Sequence, residues 1–213
     1  MSKRAVIFLN GNPPSGGLAE KIDFGDAFIV CADGAYDYAS KFCRPDLLVG
    51  DFDSLSSEAD ESVCIERVSV KKDFTDSQLA VHRAVENGCD TIDIYGAFGG
   101  RRDHELVNYS LLALADRLGA AAVLRGEEGD VAFVTPSRPF SARLEKGATV
   151  SLVPYSDNVH ILYTKGLLFE AADVSVDKTE IFTTSNVVSG DAVEYRLTCG
   201  TALLLYENRR IRT

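Results

Sequence analysis

The sequence predicts an α/β fold. A mostly parallel sheet with crossover helices, Rossmann-like but lacking G-x-G-x-x-G, is expected over residues 1–135, and an all-β sandwich over residues 136–213. Three observations carry this expectation. Strand and helix signals alternate up to about residue 135, as they do when parallel strands are joined by helices. Helical periodicity disappears after Pro136. The remaining stretch, roughly 70 residues, breaks into short apolar runs separated by turn residues.

Taken in order, AVIFLNG (5–11) reads as a buried strand running into a loop, and AFIVCADGA (27–35) as a second. YDYASKF (36–42) suits a brief helix with Tyr36, Ala39 and Phe42 on one side. DLLVGDFDS (46–54) is a third strand with its loop. SSEADES (56–62) fits one or two turns of surface helix, and SVCIERVSV (62–70) an extended segment. Thr75 followed by Gln78 has the capping-box spacing, with Leu79, Ala80, Ala84 and Val85 as the apolar side of the helix and Asn87-Gly88 as its stop. TIDIYGAFGG (91–100) is a strand ending in a glycine loop. Asp103 is then placed to cap a long helix with an apolar stripe of Leu106, Val107, Leu111, Leu114, Ala115 and Leu118, ended by Gly119. AAVLRG (120–125) and DVAFVTP (130–136) complete the first part. Beyond the prolines at 136 and 139, ATVSLVPYS, VHILYT, ADVSVD, AVEYRLTCG and TALLLYEN are strands.

Composition narrows the function. The chain has 213 residues, of which 46% are apolar and 25% charged, which is ordinary for a folded protein. Its net charge of −10 disfavours general nucleic-acid binding, because phosphate backbones demand a basic footprint. No run is long enough to span a bilayer, and no signal-like start precedes the first strand, so the expected location is cytoplasmic with no membrane partner. The five cysteines include no C-x-x-C pair and read as small buried hydrophobes.

Motifs for a P-loop are absent, and His104-Glu105 lacks the second histidine of H-E-x-x-H because Asn108 stands there. What recurs is an acid at each punctuation point: Asp33 after the second strand, Asp51 and Asp53 after the third, and Asp76 and Asp103 at helix starts. In a parallel sheet such positions converge at the carboxyl edge, where ligands bind. Oxygen-rich clusters suit Mg2+ and, through it, a polyphosphate. Local positive charge is available from Lys71-Lys72 and Arg101-Arg102, and Gly99-Gly100 lets a backbone approach phosphate closely. The set suits phosphoryl or pyrophosphoryl transfer. Ser185 and Asn186 form either a plain turn or hydrogen-bonding groups for a heterocycle.

The blocks CADGAYDYA (31–39), PDLLVGDFDS (45–54), KKDFTDSQLAV (71–81) and GAFGGRRDHELVNYSLL (96–112) resemble, in order and spacing, the signatures of the thiamine pyrophosphokinase family. SLVPYSDNVHILYTKGLLF (151–169) and TTSNVVSGDAVEYRLTCGTALLLY (183–206) resemble its β-rich half. The resemblance implies Mg2+-dependent transfer of pyrophosphate from ATP to the hydroxyethyl group of thiamine, giving thiamine diphosphate and AMP. It also implies a homodimer with active sites at the subunit interface.

Carried onto this chain, the resemblance makes Asp51, Asp53 and Asp76 metal carboxylates, with Asp33 in the same acidic site. Asp76 lies near the attacking hydroxyl. Arg101 and Lys72 face ATP phosphates, Asn12 is a nucleotide contact, and Asp103 orients substrate or Arg101. Ser185 and Asn186 hold the aminopyrimidine. The chain departs from the family pattern at Val187, where Glu is common, and in having no Trp, which the eukaryotic members set against the thiamine ring; either Phe182 or Tyr163 stacks there instead or the pocket is more open. Two other readings keep part of the pattern: another Mg2+-dependent phosphoryl-transfer enzyme on the same fold, and a non-catalytic protein binding thiamine or a nucleotide.

Overall fold

The structure, a computed structural model, describes residues 3–52, 55, 59–67 and 74–207. The chain gathers into two compact units, 1–127 and 128–213.

In the first unit, β1 (Arg4–Phe8), β2 (Phe28–Ala32), β3 (Leu47–Gly50), β4 (Cys64–Arg67), β5 (Thr91–Tyr95) and β6 (Ala121–Leu124) lie side by side in the order β6-β5-β1-β2-β3-β4. Every pairing between them is parallel. The central strands are buried on both faces, which is why they read as continuous apolar runs rather than as alternation. The helices are α1 (Gly16–Ala19), α2 (Tyr36–Ala39), α3 (Asp76–Glu86) and α4 (Arg102–Arg117). A 3-10 turn, Asp33–Ala35, leads into α2.

The capping box of α3 is present: the Gln78 N–H donates to Thr75 Oγ1 at 3.3 Å and Gln78 Oε1 accepts from the Thr75 N–H at 3.0 Å. Leu79, Ala80, Val81 and Ala84 face the core, so Val81 takes the place expected for Val85. α4 is not capped by Asp103. Arg101 occupies the N-cap position without a side-chain cap bond, and the Asp103 carboxylate turns to Arg101 instead. Leu111, Leu114 and Ala115 are buried as expected, but Leu106 is 72% exposed and Val107 40%. The helix meets the core only from its second turn onward. Among the described residues no helix is long and apolar enough to cross a membrane.

The second unit begins with β7 (Asp130–Val134), ahead of the boundary near 135 that the prolines suggested. β7 pairs antiparallel with the C-terminal strand, which fixes its membership. Then come β8 (Phe140–Ala142), β9 (Thr149–Pro154), β10 (Asn158–Lys165), β11 (Ala172–Asp177), β12 (Asn186–Val187), β13 (Val193–Cys199) and β14 (Ala202–Tyr206). Two strand orders result, β12-β9-β14-β7 and β11-β10-β13-β8. Here residues alternate between buried and half-exposed along β9 and the first part of β13, the pattern of sheets with one covered face. Val150, Leu152 and Leu204 from one sheet and Ile161, Tyr195 and Leu197 from the other share a single core. The short strands β8 and β12 have no apolar run of their own and were not expected from the sequence.

Candidate active site

The parallel register of the first unit brings the ends of β1, β2, β3 and β5 to one edge: Phe8 pairs with Cys31 and with Tyr95, and Ala32 with Val49. The loops carrying Asn12, Asp33, Asp51 and Arg101 therefore leave the sheet on the same side.

Asp33 follows β2 directly and adopts φ 50°, the left-handed region that costs a residue with a Cβ roughly 1–2 kcal/mol. Its Oδ1 is buried and has no hydrogen-bond partner among the described residues. Gly50, at the end of β3, lies against it: a Cβ there would sit 3.2 Å from the Asp33 Cα and Cβ. The next residue, Asp51, is half-buried and precedes Phe52, a second left-handed residue at φ 67° whose ring is covered by the Arg67 guanidinium at 5.1 Å. Two strained residues in adjacent loops of one sheet edge are the kind of cost that persists at functional sites. Asp76 opens α3, where helix geometry favours an anion. Asp53 and Lys72 lie outside the described residues, as do all of 56–58 and 68–73 around them. Among the described residues no three His, Cys, Asp or Glu side chains are grouped to hold a metal ion. Asp33, Asp51 and Asp76 are thus not drawn together as a ligand cluster; each offers only oxygen, and the partnerless buried oxygen of Asp33 is what a hard cation such as Mg2+ would satisfy.

The loops after β1 and β5 are laced together. Leu9, Gly11 and Asn12 donate their backbone N–H groups to the carbonyls of Tyr95, Gly96 and Phe98 at 2.9, 2.9 and 2.7 Å. Gly96, at φ +68°, permits the approach: a Cβ there would lie 2.2 Å from the Leu9 carbonyl oxygen and 2.5 Å from the Tyr38 hydroxyl. Tyr38 donates that hydroxyl to Leu9 O at 2.8 Å and packs edge-on against Phe8. Burial pushes its phenol well above the ordinary range, so it stays a donor.

Arg101 and Asp103 form a two-bond ion pair, Nε to Oδ1 at 3.2 Å and Nη2 to Oδ2 at 2.7 Å, with side chains 72% and 64% exposed. The hydrogen bond to Arg101 holds the Asp103 carboxyl below its usual value, and the same bond raises the guanidinium. Sequence reasoning missed Tyr38, Glu105 and Asn108 as groups that fix these loops. Asn108 alone carried a signal, a polar residue on an otherwise apolar helix face.

In the second unit Ser185 has φ 57° and donates its N–H to Ser151 Oγ at 2.9 Å. The Asn186 amide is committed to backbone: Nδ2 donates to Phe169 O at 2.7 Å, and Oδ1 accepts from the N–H groups of Phe169 and Val187 at 3.1 and 2.9 Å. It clamps Phe169, whose side chain is 71% exposed. Phe182 is exposed as well, whereas Tyr163 is covered on one face by the Lys165 ammonium at 4.9 Å.

The family described as "Thiamin pyrophosphokinase, catalytic domain" matches residues 22–123 of this chain. Thiamine pyrophosphokinase of Bacillus subtilis is 28% identical over 125 residues, a match spanning 56% of this chain and 58% of the relative. Thiamin pyrophosphokinase 1 of Caenorhabditis elegans is 25% identical over 200 residues, covering 88% of this chain and 82% of the relative. The crystal structure of the Bacillus subtilis thiamine pyrophosphokinase shares the fold, with a TM-score of 0.85 at 20% identity over 98% of this chain and all of that one. Acid blocks, sheet edge and fold agree with these matches, and residues 22–123 of the chain are similar to the thiamine pyrophosphokinase catalytic domain.

Proposed function

We propose that this protein transfers the pyrophosphoryl group of ATP to the hydroxyethyl oxygen of thiamine, in a reaction requiring Mg2+, and releases thiamine diphosphate and AMP. The observation that carries the reading is Asp33: a strained residue with a buried, partnerless carboxylate oxygen, at the sheet edge where the loops of Asn12, Asp51 and Arg101 also end. Asp33, Asp51 and Asp76, together with Asp53, would hold Mg2+, which when bound neutralises charge on the ATP phosphates.

The chain's own residues do the rest by position and charge. Arg101, kept cationic and oriented by Asp103, bonds phosphate oxygens whose charge grows during transfer. Lys72 adds a second cation, and Asn12 contacts the nucleotide. Asp76 hydrogen-bonds the thiamine hydroxyl and takes its proton, a modest demand if the transition state is loose. Ser185 and Asn186 shape the thiamine end, Asn186 through the Phe169 segment that its amide holds. In this reading the first part of the chain is a Rossmann-like nucleotide- and metal-binding domain and the second a β-sandwich that binds thiamine. The protein works in the cytoplasm as a homodimer with its active sites at the subunit interface.

The test is an assay of the purified protein with ATP, Mg2+ and thiamine in which the nucleotide and thiamine products are resolved. AMP with thiamine diphosphate supports the proposal. ADP with thiamine monophosphate would replace it with ordinary kinase chemistry, and no product at all would leave only a binding protein.

A further inference from the structure

The loop from Gly96 to Arg101 is held from two sides. From the loop after β1 come the three backbone bonds to Tyr95, Gly96 and Phe98. From α4 come two side chains one turn apart on one face: Glu105 Oε2 accepts from the Gly99 N–H at 3.0 Å, and Asn108 Nδ2 donates to the Ala97 carbonyl at 2.8 Å. Four successive carbonyls, 95 to 98, are thereby each committed to a donor within the protein. That matters for an anion, since an uncommitted carbonyl oxygen turned toward phosphate repels it.

Asn108 is only 8% exposed and shares its helix face with Leu111, Leu112 and Ala115. A buried amide there costs free energy unless it is bonded, and its bond goes to the loop. Glu105, in the first turn of the helix, is favoured by the dipole, so the contact it makes with Gly99 needs no compensating cation.

We infer that Glu105 and Asn108 are positioning residues for phosphate binding: they fix the Gly96–Arg101 loop to α4 and so set where Arg101 stands. This rests on the proposed reading of that loop as an ATP-phosphate contact. Their role differs from general support of the fold, because both bonds reach the loop and neither reaches another strand.

The test uses full-length variants with ATP and thiamine titrated separately. Glu105→Ala should raise the KM for ATP by roughly tenfold or more while the KM for thiamine moves less than about twofold. Glu105→Gln retains an oxygen that accepts from Gly99 and should return the KM for ATP to within about threefold of wild type. Asn108→Asp cannot donate while ionised. Its activity should recover on acidification, a pH response that Asn108→Ala lacks. If the Asn108 variants do not fold, the Glu105 pair decides alone. An unchanged KM for ATP in Glu105→Ala, or a loss shared equally by both substrates and tracking a lower Tm, overturns the inference. A wild type that neither binds ATP nor turns over overturns the functional reading and this inference with it, whereas normal wild-type turnover beside an unaffected Glu105→Ala overturns this inference only.

Discussion

Replacing Gly96 with alanine separates backbone strain from loop lacing, because the chain contains its own control. Gly88, after α3, has φ +82°, close to the +68° of Gly96, but a Cβ at Gly88 would meet nothing within 4 Å. Gly88→Ala therefore carries only the left-handed penalty, about 1 kcal/mol. At Gly96 the same penalty is joined by a Cβ that cannot coexist with the Leu9 carbonyl or the Tyr38 hydroxyl where they stand. Relief requires the two loops to part, which sacrifices the bond from Tyr38 to Leu9 and loosens the bond from Gly11 to Gly96. Each such bond is worth about 1 kcal/mol net, more if a buried carbonyl is left unpaired. The expected total is about 3–5 kcal/mol for Gly96→Ala against about 1 for Gly88→Ala. At roughly 2–4 °C per kcal/mol, that is a Tm loss of about 6–20 °C against about 2–4 °C. Urea unfolding and thermal shift measure both. Equal losses in the two variants would refute the claim that the loops are locked by close approach.

The remaining predictions use other parts of the molecule. Asp33→Asn keeps a residue tolerated in the left-handed region but removes the charge. The metal-free protein should be no less stable, and the Mg2+-dependent stabilisation, about 1.4 kcal/mol at ten times Kd and read as a rise in Tm, should vanish; a retained Mg2+ response would count against Asp33 as a metal ligand. Because Asp103 is held below the ordinary carboxylate range by Arg101, the pair's contribution is present above the unfolded-state value and is lost as pH falls through the lower folded-state value. Asp103→Asn should then reduce turnover without moving an acid limb lying above pH ~5, since that limb belongs to other groups; a shifted limb would assign it to Asp103. Thiol labelling at pH ~8 should mark Cys64 and Cys199, which are exposed, well before buried Cys31 and Cys89. Cys43 should lag with them, since burial pushes its thiol up to about 11 and leaves about one part in a thousand as thiolate. Asn186→Ala should speed amide exchange at Phe169 and Val187 by roughly tenfold or more, whereas Asn186→Asp, which still accepts from both, should protect them; equal exchange in both variants would show that the clamp is immaterial.

Much of this arrangement is legible in the chain because the information is local. The α3 cap needs only Thr75 and Gln78 at the right spacing, and the acids announce themselves by following apolar runs. The limits are equally local in origin. DVAFV reads the same whether its neighbour is parallel or antiparallel, so its pairing with β14, some 70 residues away, leaves no mark in its own composition. Leu106 and Val107 have helical spacing but lie in a turn of α4 that does not reach the core. Asp103 had the residue type of a cap, and its contact with Arg101, two residues back, prevailed.

The amino-acid order alone determined the alternation that makes the first sheet parallel, the positions of the carboxylates at its edge and the resemblance to thiamine pyrophosphokinases, because periodicity and punctuation are properties of short windows. Only the tertiary structure decided that Asp33 carries a buried oxygen without a partner, that Glu105 and Asn108 grip the glycine loop, and that the Asn186 amide is engaged with Phe169. Those facts depend on which distant backbone groups meet, and hydrogen bonds a few ångströms long record meetings that spacing along the chain does not encode.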